Sequence, residues 1–91
     1  MGLWIGVQNT REGTVLRPEG RLESEGVAEL ERVARSSERP LSIDLSQLYS
    51  ADEAGIAMLQ EIAAEGAELV GARPLIEYRL NEKDTNVHSE I

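Results

Sequence analysis

Apolar residues near the start of the chain fall on every second position. Leu3, Ile5 and Val7 alternate with Trp4, Gly6 and Gln8, the period of a strand with one buried face. Asn9 to Gly13 is polar and ends in glycine, which predicts a hairpin turn, and Thr14 to Arg17 reads as the returning strand. Pro18 cannot donate to a ladder, so it is expected at a strand end or edge, with Gly20-Arg21-Leu22 leading out of the sheet.

The period then changes. Between Ser24 and Ser36, Val27, Leu30, Val33 and Ala34 share one helical face, with Glu25, Glu29, Arg32 and Arg35 turned away and Ser24 placed to cap the first turn. Ser36 to Pro40 is a loop. Leu41, Ile43 and Leu45 stand in one phase, as in a central strand. A polar turn follows, and Asp52 to Glu65 is the second helix, with Gly55, Met58, Leu59, Ile62 and Ala63 as its inner stripe. Gly66 suits a left-handed close. Ala67 to Val70 predicts a strand, Gly71 to Pro74 a turn, and Pro74 the first position of a third helix carrying Leu75, Ile76, Arg79 and Leu80. Asn81 to Ile91 is polar and aperiodic, a frayed tail. The expectation is one domain over residues 1–80 with a tail over 81–91. Its order is strand, strand, helix, strand, helix, strand, helix, an α/β arrangement with parallel pairing in the middle.

Composition narrows the function. The chain has 91 residues, 41% of them apolar and only 3% aromatic, with no Phe. The core must be built from Leu, Ile, Val and Ala, and no aromatic platform is available for stacking nucleic-acid bases. A net charge of −8 repels phosphate backbones, so nucleic acid is a poor partner and a neutral or basic protein a better one. Most of that charge keeps the surface soluble. Cysteine is absent, which excludes disulfides and thiolate chemistry. No apolar run approaches membrane-spanning length and the N-terminus has no basic region followed by an apolar core. A cytoplasmic location without membrane insertion is therefore expected.

Candidate chemistry concentrates between Ile43 and Gly55. A strand runs into a polar turn and then into a helix, and the turn places acids where a helix exposes unpaired N–H groups. Ser50-Ala51-Asp52-Glu53 matches a capping box, with Ser50 starting the helix and Glu53 reaching back, although Asp52 can also cap by itself. Asp44, Asp52 and Glu53 could instead hold a divalent cation or act as acid and base, which makes a small acid-dependent hydrolase the enzymatic alternative. No second acidic pair converges on them, and no Lys or His completes a catalytic set, so strand-end and helix-start roles account for them better. No glycine-rich phosphate loop is present; no metal and no cofactor is expected. His88 lies in the polar tail as a solvated residue. Trp4, out of phase with its apolar neighbours, is either an interface residue or inserted into its own domain. An exposed edge at that strand would allow a homodimer. Tyr49 flanks the polar turn as a contact candidate. Ser46 and Ser50 are turn-capping residues or phosphorylation sites.

These motifs, in this order, make the chain resemble the STAS domain, the module shared by sulfate transporters and bacterial anti-sigma-factor antagonists. Gly20-Arg21-Leu22 is similar to that family's Gly-x-Leu step, Asp44-Leu45-Ser46 to its central strand ending, and Asp52-Glu53-Ala54-Gly55 to its Asp-Ser-Ser-Gly. The likeness runs from Leu3 to Leu80. It implies a mixed four-to-five-stranded sheet flanked by about three helices, and a non-enzymatic protein-binding module. In the antagonist branch the first Ser of Asp-Ser-Ser-Gly is phosphorylated by a partner kinase, which blocks docking. Here Glu53 stands in its place and Ala54 in the next. A phosphoserine carries about −1.5 to −2 charges and three acceptor oxygens, whereas Glu53 carries one charge and two. A carboxylate at a helix start is favoured by about 0.3–1 kcal/mol. The implied surface is Tyr49, Ser50, Asp52, Glu53, Gly55 and Ile56. The implied partner is an anti-sigma-type kinase or another signalling protein, or, in the transporter branch, the ATPase of a lipid transporter.

Overall fold

A long hairpin frames the molecule, whose computed structural model describes residues 3–81. β1 (Leu3–Thr10) and β2 (Gly13–Leu22) pair antiparallel throughout, from Leu3 opposite Gly20 to Thr10 opposite Gly13. Gly13 closes the turn at φ 139°, and a Cβ there would run into the Pro40 carbonyl, so only glycine fits.

β2 is longer than its sequence predicts, and Pro18 and Gly20-Arg21-Leu22 lie inside it. The reason is the pairing on its other side. The Thr14 amide donates to the Pro40 carbonyl and the Gly20 amide to the Gln47 carbonyl, both at 3.1 Å, so even-numbered residues of β2 turn their N–H groups away from β1. β3 (Leu41–Asp44) runs parallel to β2 along Thr14–Leu16, and β4 (Leu48–Ala51) along Gly20–Leu22. Pro18 falls between these two pairings, where its missing donor costs nothing.

β4 replaces much of the expected polar turn. Leu48 and Ala51 are buried and anchor it, while the register jumps from Leu48 opposite Gly20 to Ser50 opposite Arg21 and bulges Tyr49 outward. β5 (Glu68–Val70) completes a five-stranded mixed sheet of order β1-β2-β3-β5, with β4 beside β2. The parallel connections pass through helices, as such crossovers require: α1 (Glu25–Arg35) and α2 (Glu53–Ala64), followed after β5 by α3 (Pro74–Leu80). This is the α/β, STAS-like architecture of five strands and three helices that the resemblance implied.

Even-numbered residues of β2 (Leu16, Pro18, Leu22) and odd-numbered residues of β3 (Leu41, Ile43) point to one face and are buried there. Leu30 and Ala34 of α1, Ile56, Met58, Leu59 and Ile62 of α2, and Ile76 of α3 join the same core. Each fully buried Leu or Ile contributes about 1.5–3 kcal/mol relative to exposure. Outside the core, Arg35 ties the helices together by facing Glu31 on α1 and both Glu61 and Glu65 at the end of α2. The opposite sheet face carries Trp4, Arg17, Glu19, Ser42 and Asp44. Gly66 follows α2 at φ 117° and Pro74 opens α3, both as the sequence predicts. Ser24 departs from expectation: its φ is 51° and its side chain makes no capping bond. Among the described residues no helix is long and apolar enough to cross a membrane. The expected tail lies outside them from residue 82 onward, His88 included.

Candidate functional site

The β4–α2 junction is built on the end of β2. The Leu22 carbonyl accepts the Asp52 amide at 3.0 Å and so fixes where the helix begins. Asp52 is extended (φ −83°, ψ −177°), and its Oδ1 accepts the Gly55 amide at 2.8 Å, the geometry of an N-cap. Its Oδ2 accepts the Ser24 amide at 3.4 Å, linking the starts of α1 and α2. The capping box from Ser50 to Glu53 does not form. Ser50 belongs to β4, and Glu53, as the first residue of α2, is one position after the cap and cannot reach back to close such a box.

With capping assigned to Asp52, the Glu53 side chain makes no hydrogen bond or ion pair among the described residues and stands exposed at the first turn. Tyr49 is 57% exposed beside the same junction. The Arg73 guanidinium lies 4.4 Å from the Tyr49 ring centroid, a cation–π contact. From α3, Arg79 donates to the Ala51 carbonyl at 2.6 Å and holds the last residue of β4. The sequence places Arg73 in a turn and Arg79 on the third helix but gives neither a role at this junction. Each reaches the junction from a distant part of the chain, and no local spacing signals such a contact.

The junction therefore brings Tyr49, Ser50, Asp52 and Glu53 together. Ser50 is half-buried. Gly55 and Ile56 are buried and turn inward, so they support the junction from below and offer it no exposed side chain. Trp4 is 67% exposed, on the open sheet face of β1 and not inserted into its own domain.

Asp44 has a different setting. Its Oδ1 accepts the Ser46 amide at 3.0 Å and its Oδ2 lies 3.6 Å from Arg17 Nε. The Ser46 amide and hydroxyl, helped by Arg17 and only partly opposed by burial, hold the Asp44 carboxyl below its ordinary range. It stays ionised at neutral pH, unsuited to donate a proton. The carboxylates of Asp44 and Asp52 thus serve separate turns. Among the described residues no group of three or more His, Cys, Asp or Glu is placed to hold a metal.

What remains is an exposed acid at a helix start, next to an exposed aromatic ring held by a guanidinium. Such a surface can read a basic or amphipathic partner. A family model described as "Mlab, STAS domain" matches residues 5–77. Among solved structures, the fold is similar to that of an antisigma-factor antagonist STAS domain from Rhodobacter sphaeroides. The TM-score is 0.59 and the identity 22%, covering 76% of this chain and 86% of that one. No curated protein matches the chain.

Proposed function

The chain belongs to the STAS domain family, and from that premise we propose that it is a non-enzymatic, protein-binding regulatory module of the anti-sigma-factor-antagonist type, acting in the cytoplasm. Its partner surface is the β4–α2 junction: Tyr49, Asp52 and Glu53 outward, Ser50 at the margin, Gly55 and Ile56 beneath. Glu53 takes the place of a phosphorylatable serine and gives the module a fixed charge in place of a switch.

The observation that carries this reading is the exposure of Glu53 at the first position of α2, with the cap supplied entirely by Asp52. A side chain that is exposed and not engaged by the described residues is available to a partner. Its negative charge lies at the positive end of α2, where it is tolerated without a counter-ion. A partner presenting a Lys or Arg opposite Glu53 gains a charge-assisted hydrogen bond. Glu53 reproduces the sign of a phosphoserine and only part of its magnitude. Because phosphate at this position blocks docking in the antagonist branch, the partner of this chain is one whose basic group prefers a permanent acid, and its docking is not switched by phosphorylation at this position.

A second reading keeps the surface and changes the partner: a STAS subunit docked on the ATPase of a lipid transporter. Glu53 and Ala54 favour it in one respect, because neither carries a hydroxyl and a permanent subunit contact needs no switch.

The test is calorimetric titration of the chain with two purified partners from the same genome, its anti-sigma-type kinases and its lipid-transporter ATPases. Binding to a kinase that Glu53→Lys abolishes supports the first reading, and the same pattern with an ATPase supports the second. Binding to neither, or binding indifferent to Glu53→Lys, overturns both.

A further inference from the structure

β1 is the outermost strand of the sheet, and among the described residues only β2 pairs with it. Sheet edges are usually blunted by charged side chains, proline, bulges or shortness. This edge has none of those devices. Its eight residues, Leu3-Trp4-Ile5-Gly6-Val7-Gln8-Asn9-Thr10, include no charge and no proline, in a chain with 29% charged residues. Its register with β2 is unbroken.

The direction of its free peptide groups follows from β2. Thr14 and Gly20 turn their amides away from β1, so the odd-numbered residues of β2 bond to β1. Their partners there are Trp4, Gly6, Gln8 and Thr10. The peptide groups of Leu3, Ile5, Val7 and Asn9 therefore point outward, without a strand partner among the described residues.

We infer that this edge pairs with a second copy of the chain, antiparallel about a two-fold axis at Gly6. Two copies, each with a net charge of −8, repel one another across most approaches, and the uncharged edge is the approach where that repulsion is least. A two-fold pair must also match outward groups to outward groups. With Gly6 opposite Gly6, Ile5 meets Val7 and Leu3 meets Asn9, so every outward peptide group finds a partner.

The same register gives Trp4 a place. It stands opposite Gln8 of the second copy and diagonal to Gly6, within reach of an aromatic side chain. A depression of about 330 Å³ lies there, lined by Gly6, Val7, Gln8, Val15 and Arg17. Gly6 leaves it open. Each copy offers one indole and one depression, as a closed two-fold contact requires. The inference concerns β1 alone and does not depend on the Glu53 surface.

Sedimentation equilibrium of the full chain from micromolar to millimolar concentration provides the first test. The expected result is a rise from 10.0 kDa to twice that mass, and a fall of at least tenfold in the association constant for Trp4→Glu. Trp4 is exposed, so this substitution leaves the fold intact, as circular dichroism would verify. Register is read by single cysteines, since the chain has none. A Cβ at Gly6 comes no closer than 3.7 Å to its surroundings, so Gly6→Cys fits. Its two copies would sit about 4.5 Å apart at Cα, inside the roughly 4.4–6.8 Å range of a disulfide. Two copies of Gln8→Cys would be offset by about 13 Å along the strands and would stay reduced. A constant 10.0 kDa mass overturns the inference. So does a dimer indifferent to Trp4→Glu, or oxidation that links Gln8→Cys in preference to Gly6→Cys.

Discussion

Gly55 lies so close to Leu22 that a Cβ added to it would come within 2.8 Å of the Leu22 carbonyl oxygen and 2.9 Å of Cγ. That carbonyl also accepts the Asp52 amide. One peptide group of β2 therefore sets the height of α2 above the sheet, and with it the position of Glu53. Gly55→Ala should lower stability by about 1–3 kcal/mol, the usual cost of overpacking, despite a gain of about 0.5–1 kcal/mol in helix propensity. Urea denaturation with an unchanged m-value would verify this. A more stable variant would show that the helix rides freely on β2.

Asp52 supports the same junction through its cap. Asp52→Ala removes the acceptor for the Gly55 amide and should cost about 1 kcal/mol, within the 0.5–2 kcal/mol range of such losses. Asp52→Asn keeps an acceptor oxygen and should cost far less. The comparison is made by chemical denaturation at neutral pH. A cost shared equally by both variants would mean that charge, not the capping bond, matters at this position.

Much of the fold was legible in the sequence, and less of the junction, for physical reasons. The alternation of Leu3, Ile5 and Val7, and the helical stripe of Met58, Leu59 and Ile62, are strong periodic signals, and the corresponding elements are present. β4 was hidden because it is only four residues long and its bulge at Tyr49 breaks the alternation. Pro18 reads as a strand end or edge, because sequence cannot tell that β3 and β4 leave a gap opposite it. Ser24 seemed to be a cap until its amide proved to bond to Asp52, 28 positions away. The contacts of Arg73 and Arg79 were missed for the same reason: a guanidinium that crosses the fold leaves no local pattern.

Asp44 gives the fold a pH signature. Its carboxyl lies below its ordinary value of 3.8 in the folded chain, chiefly through the Ser46 amide. The unfolded state therefore binds its proton more readily. The stabilisation is complete above the unfolded value and is lost as pH falls through the folded one. Urea midpoints for the wild type should drop as pH is lowered from 6 through this region. Asp44→Asn should show a shallower drop, since that carboxyl no longer titrates. Parallel curves would assign the acid sensitivity to other groups.

Tyr49 and Arg73 form an exposed cation–π pair, which the proposed function assigns to contact with a partner. Their mutual attraction at such a site is worth about 0.5–1 kcal/mol, so Tyr49→Ala should change thermal stability little. The same substitution should weaken partner binding at least tenfold, as expected of a central aromatic contact. Calorimetry on the partner complex, beside a thermal scan of the free variant, separates the two effects. A large fall in Tm with unchanged affinity would reassign Tyr49 to the domain's own stability.

The account rests on the β4–α2 junction as the docking face. The measurement that tests it most directly is amide chemical-shift mapping of the isotopically labelled chain on addition of its partner. The largest changes should fall on Tyr49 to Gly55 and on Arg73, with Glu53 at their centre. Changes concentrated elsewhere, with the Glu53 amide unmoved at saturation, would contradict it.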